Sequence, residues 1–303
     1  MIPEFPTFKG LEIADKEEIE KITSQHDPYS DFNFTSMWSW DIKGEMKISR
    51  LNDNLIVKFT DYISGEPFYS ILGINEVDRT IKFILEFSRK DLNQGSLRLV
   101  PHITVERADT NLFLLNEDRD NFDYLYDLKL LATYHGRLMD TKRNLVNRLL
   151  KYRPGINSEL IDISDPNIQR EILLLVDLWE KNKIDSRKAA EKKNEVAALK
   201  RLFTAGNSLS LVNIGIYDGD TLTAFSISEI LKEPYVITHF AKSDATFPGI
   251  YTFLMRETCK YMLCYDRSIL NYEQDLGLPN LRFSKKSFRP VEFLKKYEIH
   301  PKV

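Results

Sequence analysis

Apolar positions recur along this chain with two periods, and the order of those periods repeats. A charged amphipathic helix is predicted over about Asp15 to His26, followed by the aromatic segment Phe32 to Trp40, read as extended with Trp38 and Trp40 alternating on it. Three alternating runs, Met46–Leu51, Leu55–Tyr62 and Pro67–Leu72, are separated by the turn sequences Asn52-Asp53-Asn54 and Ser64-Gly65-Glu66. That pattern predicts an antiparallel meander. A helix over Val77–Lys90, a strand over Leu97–Val105 and a shorter helix from Asp109 complete the first half.

The second half runs in the same order. Asp165-Pro166 reads as an N-cap with proline at the first helical position, opening a helix with Ile168, Ile172, Leu175, Val176 and Trp179 on one face. A charged helix over about Arg187 to Phe203 precedes strands at Leu209–Tyr217, Thr221–Ile230 and Tyr235–Ala241. Pro248-Gly249 opens another helix, and Ser268–Tyr272 reads as a strand. Helix, meander, helix, strand, occurring twice, implies two copies of one α/β unit with mainly antiparallel sheets. The join is placed in the Pro- and Gly-bearing stretch from Arg153 to Asp162, giving units 1–155 and 156–303.

At 303 residues, 43% hydrophobic and 29% charged, the chain has the composition of a folded protein with room for two domains. No apolar run is long enough for a membrane span and the start lacks a signal peptide's features, so a cytoplasmic place is expected, with a peripheral one at the membrane also open. Cys259 and Cys264, five apart in a predicted helix, read as buried free thiols. The net charge of −3 hides an asymmetry. Residues 1–136 hold 15 Lys and Arg against 24 Asp and Glu, whereas residues 137–303 hold 27 against 21. A balance of −9 beside one of +6 points to an anionic partner for the second half.

Candidate chemistry concentrates in two segments. In the first, Lys142, Arg143, Arg148 and Lys151 lie on a helix starting at Asp140, which is the sole acid among residues 137–153. They suit phosphate contact, against the plainer reading of a solvated helix face. In the second, Asn271-Tyr272-Glu273-Gln274-Asp275-Leu276-Gly277 brings carboxylates and amides to a glycine turn, and Arg282, Lys285, Lys286 and Arg289 follow. Glu273 or Asp275 can serve as general base there, or cap the turn before Gly277; which of them faces a pocket the pattern leaves open. The five histidines show no metal-site spacing, and His239 reads as a buried structural histidine or one near substrate. Gly-x-Ser-x-Gly, a phosphate-binding Gly-rich loop ending in Lys-Ser/Thr, and Gly-x-Gly-x-x-Gly are all absent, which removes the corresponding hydrolase, nucleoside-triphosphatase and dinucleotide readings.

Four segments together carry a family likeness: Phe34-Thr35-Ser36-Met37-Trp38-Ser39-Trp40, Glu66-Pro67-Phe68-Tyr69-Ser70, Lys142-Arg143-Asn144-Leu145-Val146-Asn147-Arg148 and Asn271 to Gly277. The chain resembles the soluble bacterial relatives of the phosphatidylglycerol lysyltransferase C-terminal domain. The resemblance implies two tandem acyltransferase units of the GNAT fold, and kinship with enzymes that move an aminoacyl group from a charged tRNA to a lipid or a peptidoglycan precursor. Two departures stand out. The transmembrane flippase portion is missing, and Asp244-Ala245-Thr246-Phe247-Pro248-Gly249 stands where acetyl-CoA-using members carry Gln/Arg-x-x-Gly-x-Gly/Ala. Coenzyme A is therefore disfavoured and no resident cofactor is expected.

The leading expectation is an acyltransferase that moves an aminoacyl group from an activated donor, such as aminoacyl-tRNA, to an amine or hydroxyl on a lipid or peptide. Glu273 or Asp275 is the expected base or amine anchor. Lys142, Arg143, Lys285 and Arg289 are expected around the donor's phosphates, such as a tRNA acceptor end, with Asn271 and His239 near substrate. The alternatives are an acyl-CoA-dependent N-acyltransferase and a non-catalytic ligand- or RNA-binding member of the fold.

Overall fold

The computed structural model describes residues 1–61, 64–181 and 188–302, with side chains described for all of these except 179–181 and 188–192. The first half contains β1 (Lys9–Gly10), α1 (Lys16–Thr23), α2 (Phe34–Trp40), β2 (Lys47–Leu51), β3 (Asn54–Thr60) and β4 (Pro67–Leu72). It continues with α3 (Val77–Leu92), β5 (Leu97–Pro101), α4 (His102–Val105), β6 (Phe113–Glu117), β7 (Asp123–Asp127), α5 (Leu128–Thr133) and α6 (Asp140–Tyr152). The second half runs through β8 (Ile156–Leu160), α7 (Pro166–Lys181), α8 (Lys188–Thr204), β9 (Leu211–Asp218), β10 (Thr221–Ile230) and β11 (Tyr235–Ser243). It ends with α9 (Ile250–Leu263), β12 (Ile269–Asn271), α10 (Pro279–Ser287), β13 (Glu292–Leu294) and β14 (Lys296–Pro301).

The alternating runs fold as the expected meanders. Asn52 and Asp53 both take left-handed φ, of 53° and 60°, at the β2–β3 turn. That is the backbone a tight right-twisted hairpin requires. The α7 start also matches its pattern, since Asn167 N–H donates to the Asp165 carboxylate at 2.7 Å. Ile172, Leu175 and Val176 of α7 are buried; the Trp179 side chain and Arg187, the expected start of the charged helix, fall outside what is described, as does Tyr62.

Four expectations are corrected. The aromatic segment is helical over Phe34–Trp40, because Asn33 caps it, its side-chain oxygen accepting from Ser36 N–H at 3.0 Å. The strand from Leu97 stops at Pro101, which lacks an N–H to continue a ladder and leads into α4. No helix begins at Asp109, whose carboxylate instead accepts from Asn111 N–H at 2.8 Å in a turn that leads into β6. Of the thiols only Cys259 is buried; Cys264, one position past the last turn of α9, is exposed.

The strands form three sheets, ordered β1-β2-β3-β4, β13-β7-β12-β11-β10-β9-β8 and β5-β14-β6. Pairing is antiparallel except between β11 and β12, which are joined by the α9 crossover. The result is the expected mixed α/β fold with mainly antiparallel sheets. The sheets do not divide at residue 155. β7 from the first half sits between β12 and β13, and β14 from the C-terminus sits between β5 and β6. Each half thus completes a sheet of the other. Apolar side chains of α5, α6 and α9 pack with residues of the seven-stranded sheet in one core cluster, those of α2, α7 and α8 in another, and α3 packs with β5, β6 and β14 in a third.

Candidate functional site

Two strands that start together and then part create the site. β12 pairs with β11 only through Tyr235↔Ile269, Val236↔Leu270 and Ile237↔Asn271, after which β11 runs on to Ser243 while β12 ends. Glu273, just past that end, takes a left-handed φ of 54°. Such a φ on a non-glycine residue costs free energy and marks a position held by its surroundings. Opposite the gap, the β10–β11 register shifts between Ile227 and Ser228, which pair with Phe240 and Thr238. His239 is the extra residue of this bulge, and a bulge re-aims a side chain out of plain alternation.

The bulge turns the His239 imidazole between two carboxylates. Nε2 lies 3.3 Å from Glu229 Oε2 and Nδ1 lies 3.2 Å from Glu273 Oε1, while the Ser36 hydroxyl is 3.1 Å from Nδ1 and 3.3 Å from Glu273 Oε1. Asn33, besides capping α2, donates from Nδ2 to Glu229 Oε2 at 2.9 Å. Glu229 and His239 are buried, whereas the Glu273 side chain remains 18% exposed. Burial alone would lower the imidazole's pKa, but its hydrogen bonds to Glu229 and Glu273 outweigh that and raise it to about 9. Burial raises Glu229, yet its bond to His239 prevails and holds the carboxyl below its usual range.

That shift has a testable sign. A histidine whose pKa rises from about 6.5 in the unfolded chain to about 9 in the fold stabilises the protein fully below pH 6.5. The contribution, roughly 3 kcal/mol at most, is lost as pH rises through 9. The groups facing the ring are Glu229, Glu273 and Ser36. We expect the parent's melting temperature to fall more steeply between pH 6.5 and 9.5 than that of His239→Gln. Parallel curves would show that the ring is neutral in the fold.

Glu273 lines a cavity of about 470 Å³ to which both halves of the chain contribute residues. Its floor is apolar, from Met37, Trp40, Met46, Phe59, Phe68 and Leu99. Acids line it too: Asp31, Asp61, Glu117, Asp118, Asp120 and Glu298 join Glu273, with Arg98 as the cation among the lining residues. Asp31, Asp61, Glu117 and Asp120 are ion-paired with Lys296, Arg98, Lys295 and Arg282, which leaves Glu273, Glu298 and Asp118 without a lysine or arginine partner among the described ion pairs. Trp40 stacks on Phe240 and lines this floor, while Trp38 lies under Arg201, so packing accounts for the tryptophan pair. Beneath the floor, Lys296 from β14 is wholly buried, ion-paired with Asp31 and with Asp123 at 2.7 Å and 3.1 Å from Ser30 Oγ. Burial pulls its ammonium down, but Asp123 and Asp31 outweigh this and hold it charged.

The expected site residues separate here. Asp275 faces away into a knot of partners. It accepts from Tyr124 Oη at 2.5 Å, from Arg282 Nε and Nη2 at 2.9 and 2.7 Å, and from Gly277 N–H at 2.9 Å. Burial raises its pKa, but Arg282 and Tyr124 prevail and lower it. Gly277 itself has no room for a side chain: its φ is 69° and a Cβ would lie 2.6 Å from Asp120 Oδ2. Asn271 is buried, donating to Pro28 O at 2.7 Å and accepting from Glu273 N–H at 2.8 Å, so it shapes the Glu273 turn from behind.

Lys285 is also turned inward. Its ammonium donates to Tyr272 O at 2.5 Å and Gln274 O at 2.7 Å, and burial lowers it to about 8. Arg143 donates to Tyr134 O at 2.7 Å beyond the end of α5 and pairs with Asp140. Neither lines the acidic cavity. Lys142 does join the two basic segments, donating to Ser287 Oγ at 2.7 Å over the Phe288 ring, where burial lowers it to about 8. Arg289 is exposed one residue beyond that ring. Lys142 thus brings the two basic segments into contact where α6 meets α10, while Arg143 and Lys285 are engaged by backbone carbonyls elsewhere and do not share a cationic pocket with Arg289.

Sequence reasoning passed over Ser36 and Glu229. A carboxylate within Phe225-Ser226-Ile227-Ser228-Glu229-Ile230, an otherwise small and apolar strand, was the available clue. Among the described residues no group of three or more His, Cys, Asp or Glu is arranged to hold a metal ion, and no helix is long and apolar enough to cross a membrane.

Comparison with known proteins agrees with this fold. A crystal structure of a conserved protein of unknown function from Bacteroides thetaiotaomicron superposes with a TM-score of 0.84 at 25% identity, over 100% of both chains. The C-terminal domain of a putative lysylphosphatidylglycerol synthetase from Agrobacterium fabrum gives 0.64 at 15% identity, over 95% of this chain and 92% of that one. L-PGS from Bacillus licheniformis gives 0.62 at 14% identity, over 99% and 93%. An uncharacterized protein of Mycoplasmoides gallisepticum is 24% identical over 187 residues, 61% of this chain and 58% of that relative's length. The family model described as "Phosphatidylglycerol lysyltransferase, C-terminal" matches residues 24–300, and the chain belongs to that family.

Proposed function

We propose that this protein is an acyltransferase that moves an aminoacyl group from an activated ester, such as aminoacyl-tRNA, to an amine or hydroxyl acceptor. The observation that carries this reading is the acidic cavity lined by Glu273, which is held against His239 and Ser36. Clustered carboxylates over an apolar floor attract an ammonium on an aliphatic chain and repel phosphate. A cationic aminoacyl group such as lysyl suits that environment, and a lipid or peptide carrying the acceptor group suits the family.

The chemistry needs little else. Glu273, partly exposed to the cavity, takes the proton of the attacking group as its nitrogen or oxygen bonds to the ester carbonyl. The carbonyl–oxygen bond to the donor then breaks and the departing ribose oxygen takes up a proton. Ser36 and His239 fix the carboxylate's orientation, so its positioning is settled before the reactants meet. Donor phosphates belong outside the cavity, on the α6–α10 surface with Lys142, Lys286 and Arg289.

Coenzyme A fits less well. The α9 start, where a pyrophosphate would meet free N–H groups, packs against α6: a Cβ at Gly249 would lie 2.8 Å from Leu145 O, and Ile250 N–H donates to Phe247 O at 3.1 Å. The test is transfer from L-lysyl-tRNA and, separately, from acetyl-coenzyme A to a small amine. We expect product from the first only. Acetyl transfer with calorimetric binding of coenzyme A would favour the acyl-CoA alternative. Binding of both reactants with no transfer at all would favour a non-catalytic member of the fold.

A further inference from the structure

Three consecutive carbonyls surround the Glu273 turn, and each has a partner. Glu273 O accepts from Tyr124 N–H at 3.1 Å, which carries the β7–β12 pairing past the end of β12. The two on either side, Tyr272 O and Gln274 O, converge on one atom, the Lys285 ammonium nitrogen, at 2.5 and 2.7 Å. Carbonyls two residues apart on a regular strand lie ~6–7 Å from each other, too far for one nitrogen to reach both. The left-handed φ of 54° at Glu273 curls the chain and brings them together. Oxygens bunched in this way repel unless a cation lies between them. Lys285 is buried on α10, and its described hydrogen bonds are these two. We propose that Lys285 is a positioning residue for the transfer: its ammonium clamps the carbonyls flanking Glu273 and so fixes the turn that aims this carboxylate into the acidic cavity.

The assignment rests on Glu273 being the base. Glu273 is then held from several sides: its carboxylate by His239 and Ser36, its N–H by Asn271 Oδ1 at 2.8 Å, and the carbonyls beside it by Lys285. A cation in this place is a burden on the fold. Burial lowers the ammonium to about 8; Glu273, Asp123 and Asp275 act against this and Lys296 acts with it, while the Tyr124 and Tyr272 rings face the nitrogen at 5.7 and 5.0 Å. A lysine whose pKa drops on folding lowers stability as pH falls from 10.5 towards 8, and the loss is complete below 8. Packing alone would be met by an apolar side chain. The charge is needed where the two carbonyls converge.

Lys285→Met keeps the length of the side chain and removes the charge. Single-turnover transfer from L-lysyl-tRNA to cadaverine is compared in parent and variant from pH 6.5 to 9, with donor affinity and melting temperature measured on the same samples. At pH 6.5 we expect the variant's rate per folded molecule to fall ~10- to 100-fold while donor affinity changes less than about two-fold. Cadaverine ionisation cancels in the ratio of the two rates, and that ratio should shrink as pH rises through 8 and the parent loses the same charge. Should Lys285→Met not fold, the backbone amide resonances of Glu273 and Gln274 in the parent replace it. They are expected to shift with a midpoint near pH 8, and resonances that stay in place up to pH 9 overturn the clamp. A parent-like rate in Lys285→Met beside an inactive Glu273→Gln overturns the clamp and leaves Glu273 as base. A rate ratio independent of pH also overturns it, since packing and not charge would then hold the turn. Donor affinity that weakens with a reduced salt dependence, at an unchanged rate, overturns it in favour of phosphate contact. Full activity in Glu273→Gln, or no transfer by the parent, overturns the underlying reading and this assignment with it.

Discussion

Glu273→Gln and Asp275→Asn, two residues apart, are expected to fail in opposite ways. Glu273 reaches the acidic cavity, and among the described residues its carboxylate is hydrogen-bonded to His239 and Ser36. Removing its charge should lower turnover by ~10²–10⁴-fold, the usual loss for a general base, and leave denaturant stability nearly unchanged near pH 9, where the ring loses its charge. Asp275 is fully buried and saturated by Arg282, Tyr124 and Gly277. Its amide variant should lose about 2–4 kcal/mol of stability, because charge-assisted bonds to Arg282 vanish and the turn at Gly277 loosens. Its rate per folded molecule should hold. Measuring stability and single-turnover rate on both variants decides the matter; an Asp275→Asn protein that is stable but inactive would transfer the base assignment to Asp275.

Lys296→Met should be the most destabilising single change in the site region. The ammonium is wholly buried and is shared by Asp31 and Asp123, with Ser30 beside it. Met fills the volume but leaves two carboxylates without a cation, a loss of about 3–5 kcal/mol for a broken buried pair. Stranded carboxylates titrate upward, so their folded pKa values lie above the unfolded ones. Stability lost at neutral pH then returns as pH falls and they take up protons. Urea unfolding of parent and variant at pH 7.5 and pH 5 should show the gap narrowing at the lower pH. A gap independent of pH would mean that packing, and not charge, holds β14 between β5 and β6.

The order of the helices and meander strands was legible because it depends on local chemistry, whereas β7, β13 and β14 were not foreseen. Period-2 runs with Asn-Asp and Ser-Gly turns specify hairpins, Asp165-Pro166 specifies a helix start, and both meanders appear where alternation placed them. Phe32 to Trp40 misled because aromatic residues are at home in strands, whereas one capping bond from Asn33 made the segment helical. The mixed charge around Glu273 was visible as well, and Glu273 does line the cavity at which it was expected. Its partition was not: nothing local distinguishes a carboxylate bound to Arg282 from one facing a cavity.

Tertiary structure decided the rest, since the deciding contacts join residues far apart in the chain. Ser36 meets Glu273 across 237 positions and Lys296 meets Asp123 across 173. A bulge in β11 and the parting of β11 from β12 put His239 between two carboxylates, and neither feature has a short-range signature. The charge asymmetry between the halves was real in the sequence, but strand exchange redistributed it. Acids of the first half came to line the cavity beside Glu273 of the second, while two of the four cations expected around phosphates turned inward or onto backbone carbonyls. Composition and periodicity determined which elements this protein would build; desolvation and pairing, which exist only once the sheets interlock, determined which of its charged groups were left to act.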